Sequence, residues 1–254
     1  MGFKKLAFFL FLIVLISGCI PAYRIHPEFE MRSKNIKTFG LITPDIKIYK
    51  LTTGGVRELV DDWSDKGKEN VLNVFVRLSR GRGIDVRPIK IEQDIEEEEV
   101  EDIKSLYMAV SKSILLHTYN IPSIDEPFYN WQEYHGFPDK IKNFVYSIGP
   151  VEKITQKYGV DALIFIYGID EIPTEGRKAL TAAGVLLTFA TGVNVMPRPA
   201  ITALSVAVVD PSGTILWYCA KTSETGSDLR ESLGTEMLID NILSDFPWSR
   251  STQK

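Results

Sequence analysis

The sequence predicts a mixed α/β domain, in which helices pack on a mixed sheet that includes a C-terminal β-hairpin. The segment 160–169 is rich in β-branched and aromatic residues, which is typical of a central strand covered on both faces. Two further strands, 201–209 and 214–221, flank a turn at 210–213 whose Pro and Gly suit a hairpin. Apolar residues at helical spacing over 229–243 predict a final amphipathic helix.

The first half of the domain alternates strand and helix patterns. In chain order the predicted elements are strands 38–43 and 46–52, helix 56–78, strand 84–91 and a helix that continues to His117. The polar stretch 64–70, which contains Gly67, predicts a split or a kink in the first helix. The acidic residues 96–99 suit the first turns of the second helix, because negative charge is favoured at a helix N-terminus.

An aromatic segment and a third helix precede the central strand. The segment 120–138 is rich in Pro and aromatic residues, so its rings either pack on the domain or present a surface to a partner. A helix is predicted over 139–158, interrupted near Gly149 and ended by Gly159. No linker divides the remaining chain, which predicts one domain over 38–248.

The N-terminus has the pattern of a secretory signal. Lys4 and Lys5 precede an apolar run of eleven residues, 6–16, and Ser17 and Gly18 then lead directly to Cys19. The run is shorter than the roughly 20 residues that a membrane-spanning helix needs, and small residues follow it where a peptidase cleaves.

Residues 16–19, Ile-Ser-Gly-Cys, resemble the lipobox of bacterial lipoproteins. That resemblance implies removal of a signal peptide, 1–18, and attachment of diacylglycerol and an N-acyl chain to Cys19. The polar stretch 19–37 is then predicted to tether the lipid to the domain. Ile20 stands where lipoproteins retained in the inner membrane often carry Asp. The resemblance therefore favours the periplasmic face of the outer membrane, with the inner membrane as the alternative.

The C-terminal half resembles a group of periplasmic α/β lipoproteins. Segment 158–166 has a helix-ending Gly and a strand that starts with Asp-Ala, and 204–217 is a hairpin that turns at Asp-Pro-Ser-Gly before a Trp. These features are similar to the curli-secretion-channel lipoprotein and the TolB N-terminal domain, together with their mostly uncharacterised relatives. The resemblance implies an accessory role in envelope assembly, secretion or transport, and it carries over no catalytic residue.

An apolar insertion at 173–199 separates the central strand from the hairpin. No charged residue occurs over 179–196, and small residues recur four apart. On a helix these small residues form a stripe that allows a close approach by another helix. The segment is therefore a candidate for contact with a membrane, another subunit or its own sheet. The candidate contact residues are Gly184, Leu187, Thr188, Phe189 and Gly192.

The composition and the motifs favour a non-catalytic protein. The formal charge of −4 gives no basic surface for nucleic acid. The three histidines lie far apart in sequence, so no metal site is predicted, and no nucleotide loop or nucleophile elbow occurs. His117 is expected to be a packed residue, and Cys219, in an apolar run, a buried inert thiol.

The sequence therefore predicts a membrane-anchored accessory of an envelope complex, without a cofactor or metal and with an envelope protein as partner. The alternatives are a carrier of lipids or small hydrophobic molecules, which uses 179–196 as a lid, and an oligomeric component of a secretion channel.

Overall fold

A computed structural model describes residues 22–90, 94–119, 137–223 and 227–248 of the chain. Within these residues seven α-helices pack on one mixed sheet that does not close into a barrel, which confirms the predicted α/β class. Cys19, His135 and the aromatic stretch 120–136 lie outside the described residues. No described helix combines the length and the apolar composition that crossing a membrane requires.

The strands are β1 (Tyr23–Ile25), β2 (Thr38–Leu41), β3 (Asp45–Leu51), β4 (Arg57–Leu59), β5 (Asp85–Pro88), β6 (Ala162–Pro173), β7 (Thr202–Val209) and β8 (Ile215–Ser223). The helices are α1 (Phe29–Arg32), α2 (Asp61–Gly81), α3 (Asp94–Ile114), α4 (Pro138–Lys142), α5 (Glu152–Tyr158), α6 (Glu175–Thr191) and α7 (Ser232–Ser244). A π-helical turn, Leu115–Tyr119, continues α3.

Strand β6 is the centre of the sheet and has twelve residues. On one side it pairs antiparallel with β7, which continues through β8 to β1. On its other side the first part of β6 pairs in parallel with β2, and its last seven residues pair in parallel with β3. One long strand therefore supports two shorter strands placed end to end, with β5 and β4 outside them.

Helices cover both faces of the sheet, which makes three layers. On one face α2 and α7 enclose a core that contains Trp217 and Phe246, whose ring centroids lie 5.0 Å apart. On the other face α3 and α5 pack over the sheet, and Tyr107 stacks on Phe165, with 5.0 Å between the ring centroids. The residues of β6 and β7 alternate between these two cores, so both faces of the central strands are buried.

The predicted break in the first helix is wrong, because α2 runs without interruption from Asp61 to Gly81. Gly67 lies on the buried side of α2, directly over the sheet. A Cβ atom built on Gly67 would lie 2.7 Å from Ile48 Cδ1 and 3.1 Å from Ile46 Cγ2. The glycine thus permits a close approach of helix and sheet, and the helix starts only after the short strand β4.

The interruption predicted near Gly149 in the helix over 139–158 is confirmed, but the helical parts are shorter than predicted, because α4 and α5 cover only 138–142 and 152–158. Between them the chain is extended and bonds to the hairpin turn: Ile148 N–H donates to Gly213 O at 2.9 Å. Gly149 has φ +83°, a left-handed conformation that suits glycine and ends a helical path. Gly159, with φ +59°, ends α5 as predicted.

The tether predicted over 19–37 is corrected for its described part. Residues 23–25 form β1, which pairs antiparallel with β8 from Tyr23 opposite Cys219 to Ile25 opposite Trp217. Phe29 is buried and packs against Trp248, with 4.9 Å between the ring centroids. The physical reason is that β8 would otherwise present an unpaired edge of a buried strand. The folded domain therefore begins four residues after Cys19.

Candidate functional site

The carboxyl end of β6 is where the insertion leaves the sheet. Thr174 is the N-cap of α6, and its hydroxyl accepts a hydrogen bond from Arg177 N–H at 3.3 Å. Gly192, with φ +70°, ends the helix and donates its N–H to Thr188 O at 2.9 Å. The insertion is therefore a capped helix of 17 residues followed by an extended segment that returns to β7.

The small residues of α6 face the chain itself. Gly184 is buried, and a Cβ atom on it would lie 3.2 Å from Met196 Cα and 3.3 Å from Pro197 Cδ. Thr188 Oγ1 accepts a hydrogen bond from Val195 N–H at 3.3 Å. The segment that follows the helix thus occupies this stripe, and Gly184 and Thr188 are not available to another helix.

Exposed apolar side chains occur along the second half of α6 and in the segment that follows it. We call them the α6 apolar face: Leu186, Leu187, Phe189, Val193 and Met196, all exposed. Phe189 is 85% exposed and Leu186 is 71% exposed, although large apolar side chains are normally covered. Because no charge occurs over 179–196, this surface has no charged side chain of its own. Large exposed apolar side chains grouped within one short segment of a chain are typical of a contact surface.

A buried carboxylate holds the returning segment against the sheet. The side chain of Glu171, in β6, has no exposed area and accepts hydrogen bonds from Arg198 Nη1 and Nη2 at 2.7 and 3.0 Å. Arg57 Nε donates to the same carboxylate from β4, and Ile201 N–H donates to it at 3.2 Å. Arg177 Nη2 in turn donates to Arg198 O at 2.9 Å. We call Glu171, Arg57 and Arg198 the Glu171 cluster.

The neighbouring carboxylate, Asp170, fixes the loop before α7. Asp170 accepts hydrogen bonds from Thr202 Oγ1 at 2.7 Å and from Leu229 N–H at 2.8 Å. Burial raises the pKa of Asp170 to about 6, even though these two hydrogen bonds favour the charged form. Both carboxylates at this end of β6 are therefore occupied by contacts within the fold.

An open cleft of about 610 Å³ lies at the other end of β6. Its carboxylates are also engaged: Asp210 accepts from Arg32 Nη1 at 3.0 Å and from Thr214 N–H at 3.1 Å. Partial burial acts to raise the pKa of Asp161, but hydrogen bonds from the N–H groups of Lys37 and Thr38 outweigh it and lower that pKa. The carboxylates of Asp210 and Asp161 in this cleft therefore already accept hydrogen bonds that join strands and turns of the fold.

The remaining residues considered for chemistry are part of the core or its border. Cys219 is fully buried, and burial raises the pKa of its thiol to about 12, so the thiol stays protonated. His117 lies in the π-helical turn, where its Nδ1 is 3.2 Å from Ser113 Oγ. His26 Nδ1 accepts from Glu28 N–H at 3.1 Å. Among the described residues no group of three or more potential metal ligands comes together.

Sequence reasoning overlooked the Glu171 cluster and Asp170. The signal that could have indicated them is the pair of adjacent carboxylates at the end of an otherwise apolar strand, since a buried charge needs a partner. The identity of the partners could not be read from the sequence, because Arg57 and Arg198 are separated from Glu171 by 114 and 27 residues.

Comparison with known proteins identifies no family: no protein-family model matches the chain, and no curated protein is significantly similar to it. The resemblance to periplasmic α/β lipoproteins stays a prediction.

Proposed function

We propose that the chain is a membrane-anchored periplasmic lipoprotein that acts as a non-catalytic accessory of a cell-envelope complex. The observation that carries this proposal is the N-terminal pattern of two lysines, an eleven-residue apolar run and the lipobox-like residues 16–19. The acylated Cys19 inserts into the bilayer, where several acyl chains at about 0.8 kcal/mol per buried methylene give stable attachment.

In this proposal the anchor gives the domain its means of action. A domain confined to a membrane surface has a higher effective concentration for partners in the same membrane. Glu171, Asp170, Asp161 and Asp210 hold parts of the fold together, so we assign these four carboxylates a structural role. The outer membrane is the proposed location, on the basis of Ile20.

The packing of α6 weighs against the carrier alternative. A lid over a ligand cavity would leave space beneath the helix, but Gly184 lies in direct contact with the segment 195–197. A lid must also move, whereas the returning segment is fixed by the Glu171 cluster. These contacts favour an accessory protein that binds a partner at its surface over a carrier that holds a ligand in an internal cavity.

The anchor is tested by mass spectrometry of the N-terminal peptide together with cell fractionation. We expect the mature chain to begin with acylated Cys19 and to partition with membranes. Cys19→Ala should lose the acyl chains, whereas the control Cys219→Ala should keep them, because Cys219 is buried in the core. An unmodified Cys19, or an intact leader peptide on the mature protein, contradicts the proposal.

The accessory role is tested by crosslinking in intact cells, followed by purification of the acylated protein. We expect an envelope protein to be enriched with the wild-type chain relative to Cys19→Ala, since only the anchored domain is concentrated beside it. Equal recovery of that protein with both chains contradicts the role of the anchor in partner binding.

A further inference from the structure

The chain enters the fold at the same end of the sheet as α6. Strand β1 runs antiparallel to β8, β8 antiparallel to β7, and β7 antiparallel to β6. The amino end of β1 therefore lies toward the carboxyl end of β6. Helix α6 begins at that end, two residues after Pro173.

The covalent length of the chain limits how far Cys19 lies from α6. Through β8 and β7, the register places Tyr23 level with Ile166. From Ile166 to Pro173 the strand rises about 23 Å, and the four residues from Tyr23 back to Cys19 span at most about 14 Å. At full extension of these residues, about 9 Å along the strand direction remains between the levels of Cys19 and Pro173. This height is smaller than the roughly 14 Å that separates β1 from β6 across the sheet. When these four residues extend toward that end of the sheet, a moderate tilt of the domain therefore brings Cys19 and the start of α6 to one plane.

The chemistry of the α6 apolar face suits a lipid surface. Its most exposed members are Phe189 and Leu186, and the 18 residues 179–196 carry no charge that would have to be desolvated. The helix is not able to span a bilayer. A helix with one apolar side can instead lie in the interface, with that side about 5–10 Å deep at the boundary of headgroups and acyl chains.

We propose that the α6 apolar face rests on the bilayer that holds Cys19, so that the domain has two membrane contacts and a fixed orientation. This inference rests on the proposed lipid anchor. The bilayer is the occupant because the anchor keeps it within reach of this end of the sheet at any protein concentration, whereas a second copy has to be encountered. The Glu171 cluster sets the angle of the face by fixing the segment that packs beneath α6.

The test uses the full acylated protein in vesicles of phosphatidylethanolamine and phosphatidylglycerol, with or without brominated phospholipid. Phe189→Cys is labelled with bimane, a dye that bromine quenches on contact. The control is Val145→Cys, an exposed position beside the amino end of β8 and thus at the opposite end of the sheet. Cys219 is buried and does not compete for the label.

We expect brominated lipid to remove about half or more of the fluorescence at position 189, where the dye reaches the acyl chains, and little of it at position 145. If the protein sediments with vesicles but position 189 is not quenched, the docking inference fails and the anchor stands. Equal quenching at both positions also overturns it. If the protein carries no acyl chains and does not sediment, the proposed function fails and the docking inference fails with it.

A second copy of the chain is the competing occupant. A short bis-maleimide crosslinker added to the Phe189→Cys protein in vesicles distinguishes it. Covalent dimers without quenching show that a second copy covers the face, which overturns the bilayer as its occupant. Quenching without dimers supports the bilayer.

Discussion

Arg198 and Glu171 form a paired contact in which the guanidinium donates two hydrogen bonds to one buried carboxylate, at 2.7 and 3.0 Å. Glu171 belongs to the central strand β6, and Arg198 belongs to the segment that returns from α6. The contact therefore connects the segment that follows the exposed helix α6 to the buried central strand of the sheet. Bidentate geometry of this kind is directional as well as strong.

We predict that Glu171→Gln destabilises the fold by about 3 kcal/mol, because it removes the buried negative charge that two mostly buried arginines share. Arg57 and Arg198, both mostly buried at this contact, would lose the same carboxylate. Denaturant unfolding of the purified protein measures the difference. The control is Glu236→Gln, which breaks an exposed pair with Arg77 and should leave stability nearly unchanged. Equal stability of both variants and the wild type would disprove the role of the cluster.

We predict that the free energy of unfolding depends on pH because the carboxylate of Asp170 is buried. Burial raises its folded pKa to about 6 from 3.8, so the native state binds the proton more tightly than the unfolded state. Its contribution to stability is fully present below about pH 4 and is lost as the pH rises to about 6, a change of order 3 kcal/mol. Asp170→Asn should remove this slope, and unfolding free energies measured at pH 4, 5, 6 and 7 test it. The idea fails if the variant keeps the wild-type slope.

At Gly67 the steric cost of a larger side chain opposes the gain in helix propensity that replacing glycine would bring. Gly67→Ala places a methyl group 2.7 Å from Ile48 Cδ1, so we expect a loss of about 1–3 kcal/mol from overpacking. The matched control is Gly81→Ala at the end of the same helix, where a Cβ meets nothing within 4 Å. That change should leave stability unaltered or raise it by up to about 1 kcal/mol. Thermal unfolding compares the two, and a stabilised Gly67→Ala would contradict the close packing.

Ile20 predicts the membrane in which the anchored protein resides. By the resemblance to lipoproteins, Ile20→Asp should retain the protein in the inner membrane, whereas Ile20→Leu should leave it in the outer membrane. Density-gradient separation of the two membranes, with the protein detected by immunoblot, measures the distribution. An unchanged distribution of Ile20→Asp would show that this position does not direct sorting here.

Elements with a strong local pattern are those that the sequence predicted well. The hairpin of β7 and β8 turns at residues whose types suit a turn, and β6 follows from an apolar run that only a doubly covered strand tolerates. The break near Gly149 was predicted, but its length was not, because the backbone there bonds to the distant residue Gly213. Tertiary pairing overrode the local preference there.

The sequence spacing predicts the stripe of small residues on α6. It does not identify the segment that packs against that stripe. A stripe at Gly184 and Thr188 indicates only that something packs closely. The structure shows that the neighbour is the chain's own segment 195–197, which leaves the other side of the helix as the exposed one. Phe189 lies on that exposed side, Leu187 is also exposed, and Gly192 ends the helix.

The sequence by itself determined the α/β class, the central strand, the hairpin and the apolar character of the insertion, because each depends on periodicity or turn chemistry within a few residues. Only the tertiary structure decided that β1 pairs with β8 at the edge of the sheet, that Glu171 binds two distant arginines, and that one side of α6 stays uncovered. Those outcomes depend on which surfaces meet after the chain has folded, and residues far apart in sequence carry no local signal of meeting.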